Sequence, residues 1–352
     1  MTFESEMRRK LDEIRHQPTV RILSLETSCD ETAAAIVENG RVIRANVVFS
    51  QIDLHALYGG VVPEIASRAH VEACDRVIDE ALRAANMTFD DIDALAVTCG
   101  PGLVGALLTG VSCMKGLSYA LRKPLIPVNH IEGHVSANYL TSPGLNPPFL
   151  CLVVSGGHSH LVNVTDYGTY HLLGQTTDDA AGEAFDKAAR VLGLPYPGGP
   201  RIDALAEEGD PHALPLPHPH AEGRYDYSFS GMKTAFLNAA NKLEMQGKEL
   251  PKADMAASFR WAVVSSLVDK AMLAARETHA PALALAGGVS ANRLLRRMMQ
   301  EKCVAAGLPL YMPRLDLCTD NGAMIGSAAY WRLLKGEIAP LTLNAQPALR
   351  LV

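Results

Sequence analysis

The sequence predicts an α/β protein built from two halves of similar topology. Three observations carry this. A strand–polar turn–strand pattern opens at residue 20, and a second opens at residue 149, just after Pro147-Pro148. Each pattern continues into a third strand and then into helices and further strands. The chain has 352 residues, room for two domains at roughly 100–200 residues each.

Each element has a local reason. Residues 1–18 read as a short charged helix ended by Pro18. Residues 20–25 form an apolar strand, and T-S-C-D-E-T at 27–32 is a polar turn into a second strand at 33–37. Asn39-Gly40 is a strong hairpin signal and leads to a third strand at 42–48. Residues 63–85 are helical, with Ile65, Ala69, Val77, Ile78 and Leu82 at helical spacing. A strand at 92–98, the turn C-G-P-G, a helix of small residues at 103–121 and a strand at 125–128 follow. Asn129 then reads as the N-cap of a helix, with Glu132 three places on, a capping-box-like start.

In the second half, strands fall at 149–154, 160–164 and 170–174, with the turn Ser155-Gly156-Gly157-His158-Ser159 between the first two. A helix at 178–192 is closed by Gly193. Residues 209–226 are rich in Pro and His and read as an exposed loop. Helices at 252–279, 291–306 and 321–334 alternate with strands at 282–286 and 310–312, and the tail 336–352 is irregular. Two such halves facing each other would put the turns 27–32 and 155–159 on opposite walls of one cleft.

Composition narrows the class. Hydrophobic residues are 48% and charged residues 20%, which fits an ordinary globular protein. The net charge of −6 is not that of a chain that grips nucleic acid unaided. Seven cysteines, with no C-x-x-C, fit a reducing cytoplasm better than a disulfide framework. The N-terminus has no apolar leader, and the longest apolar candidate for a membrane span, 97–121, is broken by glycines, Pro101 and Lys115.

Several segments could carry chemistry. His130 and His134 stand four apart, on one helix face, so both imidazoles can reach one metal ion; as a bare pair they read first as two histidines of a helix surface. Glu132 is not adjacent to His130, so this is not the H-E-x-x-H of zinc proteases. Asp320, in C-T-D-N-G, is either a helix cap or a third ligand; two histidines and a carboxylate suit iron or catalytic zinc. Val153, Val154, Ser155, Gly156 and Gly157 form a strand end and turn that is either a plain hairpin or an anion-binding nest. The run 287–292 is either an ordinary strand–helix turn capped by Asn292 or a ligand-facing glycine turn. Asp186 lies mid-helix, Gly199 in P-G-G-P, Asp203 in the first turn of the following helix, and Asp30 in the polar turn 27–32. Arg293, Arg296 and Arg297 are the densest late basic cluster, read first as a solvated helix face.

Together, the segments E-T-S-C-D-E-T, G-G-V-V-P-E-I-A-S-R-A-H, N-H-I-E-G-H, V-S-G-G-H-S, D-D-A-A-G-E-A-F-D-K, Y-P-G-G-P, F-S-G-M-K-T-A, A-G-G-V-S-A-N and C-T-D-N-G-A-M-I-G closely resemble the bacterial TsaD family. They run in order from about residue 21 to 326, nearly the whole chain. The resemblance implies two ribonuclease-H-like lobes of the actin, Hsp70 and sugar-kinase type around a central nucleotide cleft. The expected division is an N-terminal extension 1–19, a lobe 20–128 joined by the C-terminal helix 323–346, and a lobe 129–322. The implied reaction moves a threonylcarbamoyl group from threonylcarbamoyl-AMP to N6 of the adenosine 3′ of the anticodon, in tRNAs reading A-starting codons. His130, His134 and Asp320 match the family's metal ligands, with Fe2+ expected and Zn2+ as the alternative. Val153 to Gly157, Asp186, Gly199, Asp203 and Asn292 match its nucleotide contacts, and ATP or ADP could occupy the same cleft. Asp30 is the candidate catalyst near the acceptor. The implied partners are tRNA, TsaB and TsaE, with a TsaC-type enzyme supplying the donor. The rival readings are a chaperone-type ATPase module and a metalloendopeptidase.

Overall fold

A computed structural model describes residues 2–217 and 221–352. Residues 218–220 of the Pro- and His-rich loop therefore lie outside the described residues. In chain order, the first half contains α1 (Phe3–Ile14), β1 (Arg21–Glu26), β2 (Glu31–Glu38), β3 (Val42–Ser50), α2 (Ile52–Ala56), α3 (Pro63–Ala85), β4 (Ala94–Gly100), α4 (Val104–Leu121), β5 (Leu125–Asn129) and α5 (His130–Thr141). The second contains β6 (Phe149–Val154), β7 (Ser159–Asp166), β8 (Thr169–Gln175), α6 (Ala181–Val191), α7 (Gly198–Leu205), α8 (Ser230–Met245), α9 (Lys252–Glu277), β9 (Leu283–Ala286), α10 (Arg293–Ala306) and β10 (Leu310–Tyr311). The last helix is α11 (Gly322–Leu334).

The duplication expected from the two meanders is real. One sheet runs β3-β2-β1-β4-β5 and the other β8-β7-β6-β9-β10. In each, the three meander strands are antiparallel and the two outer strands are parallel to the first. The parallel strands need crossovers, which the intervening helices supply. Asn39 and Gly40 take φ 49 and 67, the left-handed pair that a tight hairpin turn demands.

Contacts divide the chain into two compact units. The first comprises residues 1–54, 61–146 and 319–352, and the second 55–60 and 147–318. The sequence-based boundary at 129 differs from this division: α5 lies with the first unit. The physical reason is burial on α11, since every residue of α5 from His130 to Leu140 is buried and α11 packs against it. A helix buried on every side belongs to a core.

In the first unit, Leu23, Leu25, Ala34 and Ile36 of the sheet pack against Cys74, Val77 and Ile78 of α3 and Val111 and Met114 of α4. The tail after α11 is irregular yet fixed: Gln346 N–H donates to the Cys99 carbonyl at 2.7 Å, and Asn129 Nδ2 donates to the Arg350 carbonyl at 3.0 Å. In the second unit, Phe185, Phe229, Phe236 and Phe259 form the aromatic centre of the core with Leu150, Leu152 and Leu285. Helix α4 is long and apolar enough to cross a membrane by length and composition. It is the 103–121 helix expected from sequence, and one face of it packs on the first unit's core.

Candidate active site

The metal-type group lies wholly in the first unit. Asn129 accepts from the Ile131 N–H at 2.9 Å and starts α5 as expected. Glu132 does not complete the capping box. Its buried carboxylate is paired with Arg332 of α11 instead. This pairing also removes Glu132 as a free general base, against the endopeptidase reading.

His130 and His134 meet Asp320 at the start of α11. The Asp320 Oδ1 lies 3.4 Å from His130 Nε2 and 3.3 Å from His134 Nε2. One ligand atom from each residue falls within 4.8 Å of the others. Asp320 is not the helix cap, because Asn321 fills that role by accepting from the Met324 N–H at 2.9 Å. His134 is fully buried, yet neither ring nitrogen has a hydrogen-bond partner. A buried unsatisfied nitrogen is costly in an otherwise closed core. The orphaned Nε2 and the N,N,O donor set therefore fit a divalent ion.

Negative charge gathers beside these ligands. Burial, together with Asp30 and Asp320, pushes the Glu31 carboxyl well above the usual carboxylate range. The Cys29 thiol is raised by burial, Asp30 and Asp320. His130 feels burial, which disfavours its charge, but Asp320 and Glu26 outweigh it and hold the imidazole up to about 9. A bound cation would relieve the mutual repulsion of these carboxylates. The buried Asp30 stands in the turn after β1, whose backbone is held by His70. His70 Nε2 donates to the Cys29 carbonyl at 2.9 Å, so its Nδ1 accepts from the Thr32 hydroxyl at 2.8 Å. Sequence reading singled out Asp30 but passed over Glu31, Glu26 and His70. Their signal was present in E-T-S-C-D-E-T and S-R-A-H, but their roles depend on contacts across the sheet.

The nucleotide-type residues lie wholly in the second unit and are contiguous. The turn after β6 closes through Ser155 N–H to the His158 carbonyl at 2.8 Å. Helix α6 begins against it, with Glu183 N–H donating to the Gly156 carbonyl at 3.2 Å. A Cβ on Gly182 would come within 2.6 Å of the Ser155 carbonyl oxygen, so glycine is needed there for close packing. Asp186 is no solvated charge: its Oδ1 accepts from Gly198 N–H at 2.8 Å and Gly199 N–H at 3.3 Å, capping α7. Asp203 sits in the second turn of α7 rather than the first. It accepts from the Arg293 N–H at 3.2 Å and from buried Arg260 at 2.9 Å. Asn292 caps α10 by accepting from Leu295 N–H at 3.0 Å. The strand end Val153–Val154 is therefore linked, through α6 and α7, to the start of α10.

Glycine requirements separate structure from ligand. Gly287 has φ 84 and ψ 166, a region open essentially to glycine alone. An added Cβ would also lie 2.4 Å from the Val154 carbonyl oxygen. Gly287→Ala should therefore cost about 1–3 kcal/mol of stability, read as a lower urea midpoint; an unchanged midpoint would contradict this reading. Gly156 and Gly157 differ. Neither has a positive φ, and a Cβ on either meets nothing within 4 Å. Backbone conformation therefore does not demand glycine at either position.

The arginine cluster divides. Arg296 is committed internally, donating to the Ser290 carbonyl at 2.7 Å and the Pro313 carbonyl at 2.6 Å. Arg293 and Arg297 remain at the surface end of the group, with Arg293 3.8 Å from Asp203.

Comparison with known proteins gives the fold and the family. The solved structure of T. kodakarensis HypF matches with a TM-score of 0.62 at 15% identity, covering 91% of this chain and 48% of that one. At that identity the likeness concerns the fold alone. A Clostridium perfringens protein named tRNA N6-adenosine threonylcarbamoyltransferase is 56% identical over 331 residues, covering 94% of this chain and 98% of its own. A Clostridium novyi protein of the same name is 55% identical over 334 residues, again covering 94% and 98%. The family described as TsaD: tRNA N6-adenosine threonylcarbamoyltransferase matches residues 42–327. The chain belongs to the TsaD family of tRNA N6-adenosine threonylcarbamoyltransferases.

Proposed function

We propose that this enzyme transfers a threonylcarbamoyl group from threonylcarbamoyl-AMP to N6 of the adenosine 3′ of the anticodon, in tRNAs reading A-starting codons. The observation that carries the reading is the His130–His134–Asp320 group, its histidines buried and one ligand nitrogen orphaned, in a chain of this family. A divalent ion there, Fe2+ first and Zn2+ second, supplies Lewis acidity toward an acyl or phosphoryl oxygen. His130, His134 and Asp320 would hold it.

The second unit binds the adenylate portion. The uncovered glycines 156 and 157 let phosphate approach the backbone, and the starts of α6 and α10 favour its charge. Asp186, Gly199, Asp203 and Asn292 fix the rim on which the nucleoside rests, and ATP or ADP is accommodated in the same way. In the transfer, the N6 lone pair attacks the carbamoyl carbon. The carbon–oxygen bond to phosphate breaks and AMP leaves with its electron pair. One N6 proton passes to a carboxylate of the Asp30 turn, where burial, Asp30 and Asp320 hold the Glu31 carboxyl well above the usual carboxylate range.

The enzyme works in the cytoplasm with TsaB and TsaE, and a TsaC-type enzyme makes the donor. Exposed Val71 of α3 and Val104, Leu108 and Tyr119 of α4 offer apolar surface for a protein partner. With a net charge of −6 and Arg296 engaged internally, the chain alone should bind tRNA weakly. Log affinity should fall with log salt at a shallow slope, because each neutralised phosphate on duplex contributes about −0.9. Adding TsaB and TsaE should tighten binding and steepen the slope in a salt titration. Tight, steep binding by the isolated chain would contradict the charge argument.

A further inference from the structure

Beside the metal ligands stands a buried carboxylate that is not itself one of them. Glu26 ends β1 with no exposed surface. Its Oε2 lies 3.1 Å from His130 Nδ1 and accepts from the Thr98 hydroxyl at 2.7 Å. Its Oε1 accepts the backbone N–H of Ser28. Two donors from the protein thus meet the carboxylate, which suits it as an anion and a pure acceptor. The Ser28 hydroxyl also reaches His130 Nδ1, at 3.1 Å, but a hydroxyl can either donate or accept. Only the carboxylate dictates a direction.

We propose that Glu26 is a positioning residue for the metal centre: its carboxylate keeps the single ring proton of His130 on Nδ1 and so aims the Nε2 lone pair at the ion. The inference rests on His130, His134 and Asp320 binding a metal. The geometry supports it on three counts. Nδ1 faces Glu26, whereas Nε2 faces Asp320 at 3.4 Å. The opposite tautomer would point N–H at the metal position and leave Nδ1 facing a carboxylate, lone pair against lone pair. And Glu26 is itself immobilised from both oxygens, so it transmits orientation from β1 and β4 to the ring. His134 has no equivalent partner, since its Nδ1 is unbonded. Glu26 is therefore the fixed point of the ligand set.

The test uses the full chain and Co2+ as a spectroscopic probe, titrated against a competing chelator. Four proteins are compared: wild type, His134→Ala, Glu26→Gln and Glu26→Asp. Glutamine keeps the shape but must place its NH2 against either His130 Nδ1 or the Ser28 N–H. Glu26→Gln should bind Co2+ about 10–100-fold more weakly than wild type. Glu26→Asp, still an anion, should recover part of the loss. An affinity for Glu26→Gln within about twofold of wild type, while His134→Ala loses the metal, would overturn the role of Glu26 and leave the metal site standing. Failure of wild type and His134→Ala to differ would overturn both. If Glu26→Gln does not fold, wild type decides the matter. In Zn2+-loaded, 15N-labelled protein the His130 ring, identified by its loss in His130→Gln, should carry its proton on Nδ1. A proton on Nε2 would overturn the proposal.

Discussion

Replacing His134 by alanine should leave the protein folded and nearly free of metal. His134 is a buried ligand whose Nε2 finds nothing else to bond, so removing it discards a group that the protein alone leaves unsatisfied. The remaining pair, His130 and Asp320, would hold a divalent ion much less tightly, as open sites depend on every ligand they have. Transfer should drop by about 10³-fold or more, since the Lewis-acid contribution of a catalytic ion is several kcal/mol. The measurement is metal content by mass spectrometry, on protein purified without oxygen, beside a thermal melt. Full occupancy in a folded His134→Ala protein would defeat the assignment.

The second large effect concerns Gly157. The protein gives no internal reason for glycine there: φ is ordinary and a Cβ would meet nothing. Gly157→Val should thus cost little stability, unlike Gly287→Ala. A branched side chain would instead occupy the space above the turn where a phosphate is to approach the backbone. Affinity for ATP or an adenylate analogue should fall by about 10²-fold or more, the loss of several polar contacts at once. Calorimetry on the two variants separates the cases. Unchanged nucleotide affinity in Gly157→Val would reduce the turn to a hairpin.

What could be read from the chain was local. Asn39-Gly40 demanded its turn, Asn129 its cap, and the alternation of apolar runs gave both meanders, because each depends on residues a few places apart. What stayed hidden depends on distance in sequence. Nothing near Glu26 reveals that it meets His130, 104 positions away, nor does anything near Glu132 reveal Arg332, 200 positions away. The same limit moved the boundary of the first unit. Helix α5 follows β5 without a break, and only its burial under α11 shows which core it serves. Helix α8 went unread because Gly231 and a weakly apolar face blur its periodicity. Asp186 and Asp203 could be placed only by their positions on helices, yet both accept backbone N–H groups from elements further along the chain. The metal-type and nucleotide-type residues were found through motifs, and the contacts that orient them were not.

The most direct test of the account is threonylcarbamoyl transfer itself. Purified protein, loaded with Fe2+ and supplied with TsaB, TsaE, threonylcarbamoyl-AMP and unmodified tRNA for an A-starting codon, should convert the adenosine 3′ of the anticodon. Digestion of the tRNA and mass spectrometry of the nucleosides should show N6-threonylcarbamoyladenosine with wild type and little or none with His134→Ala. Equal product from both proteins, or none from wild type under these conditions, would contradict the account.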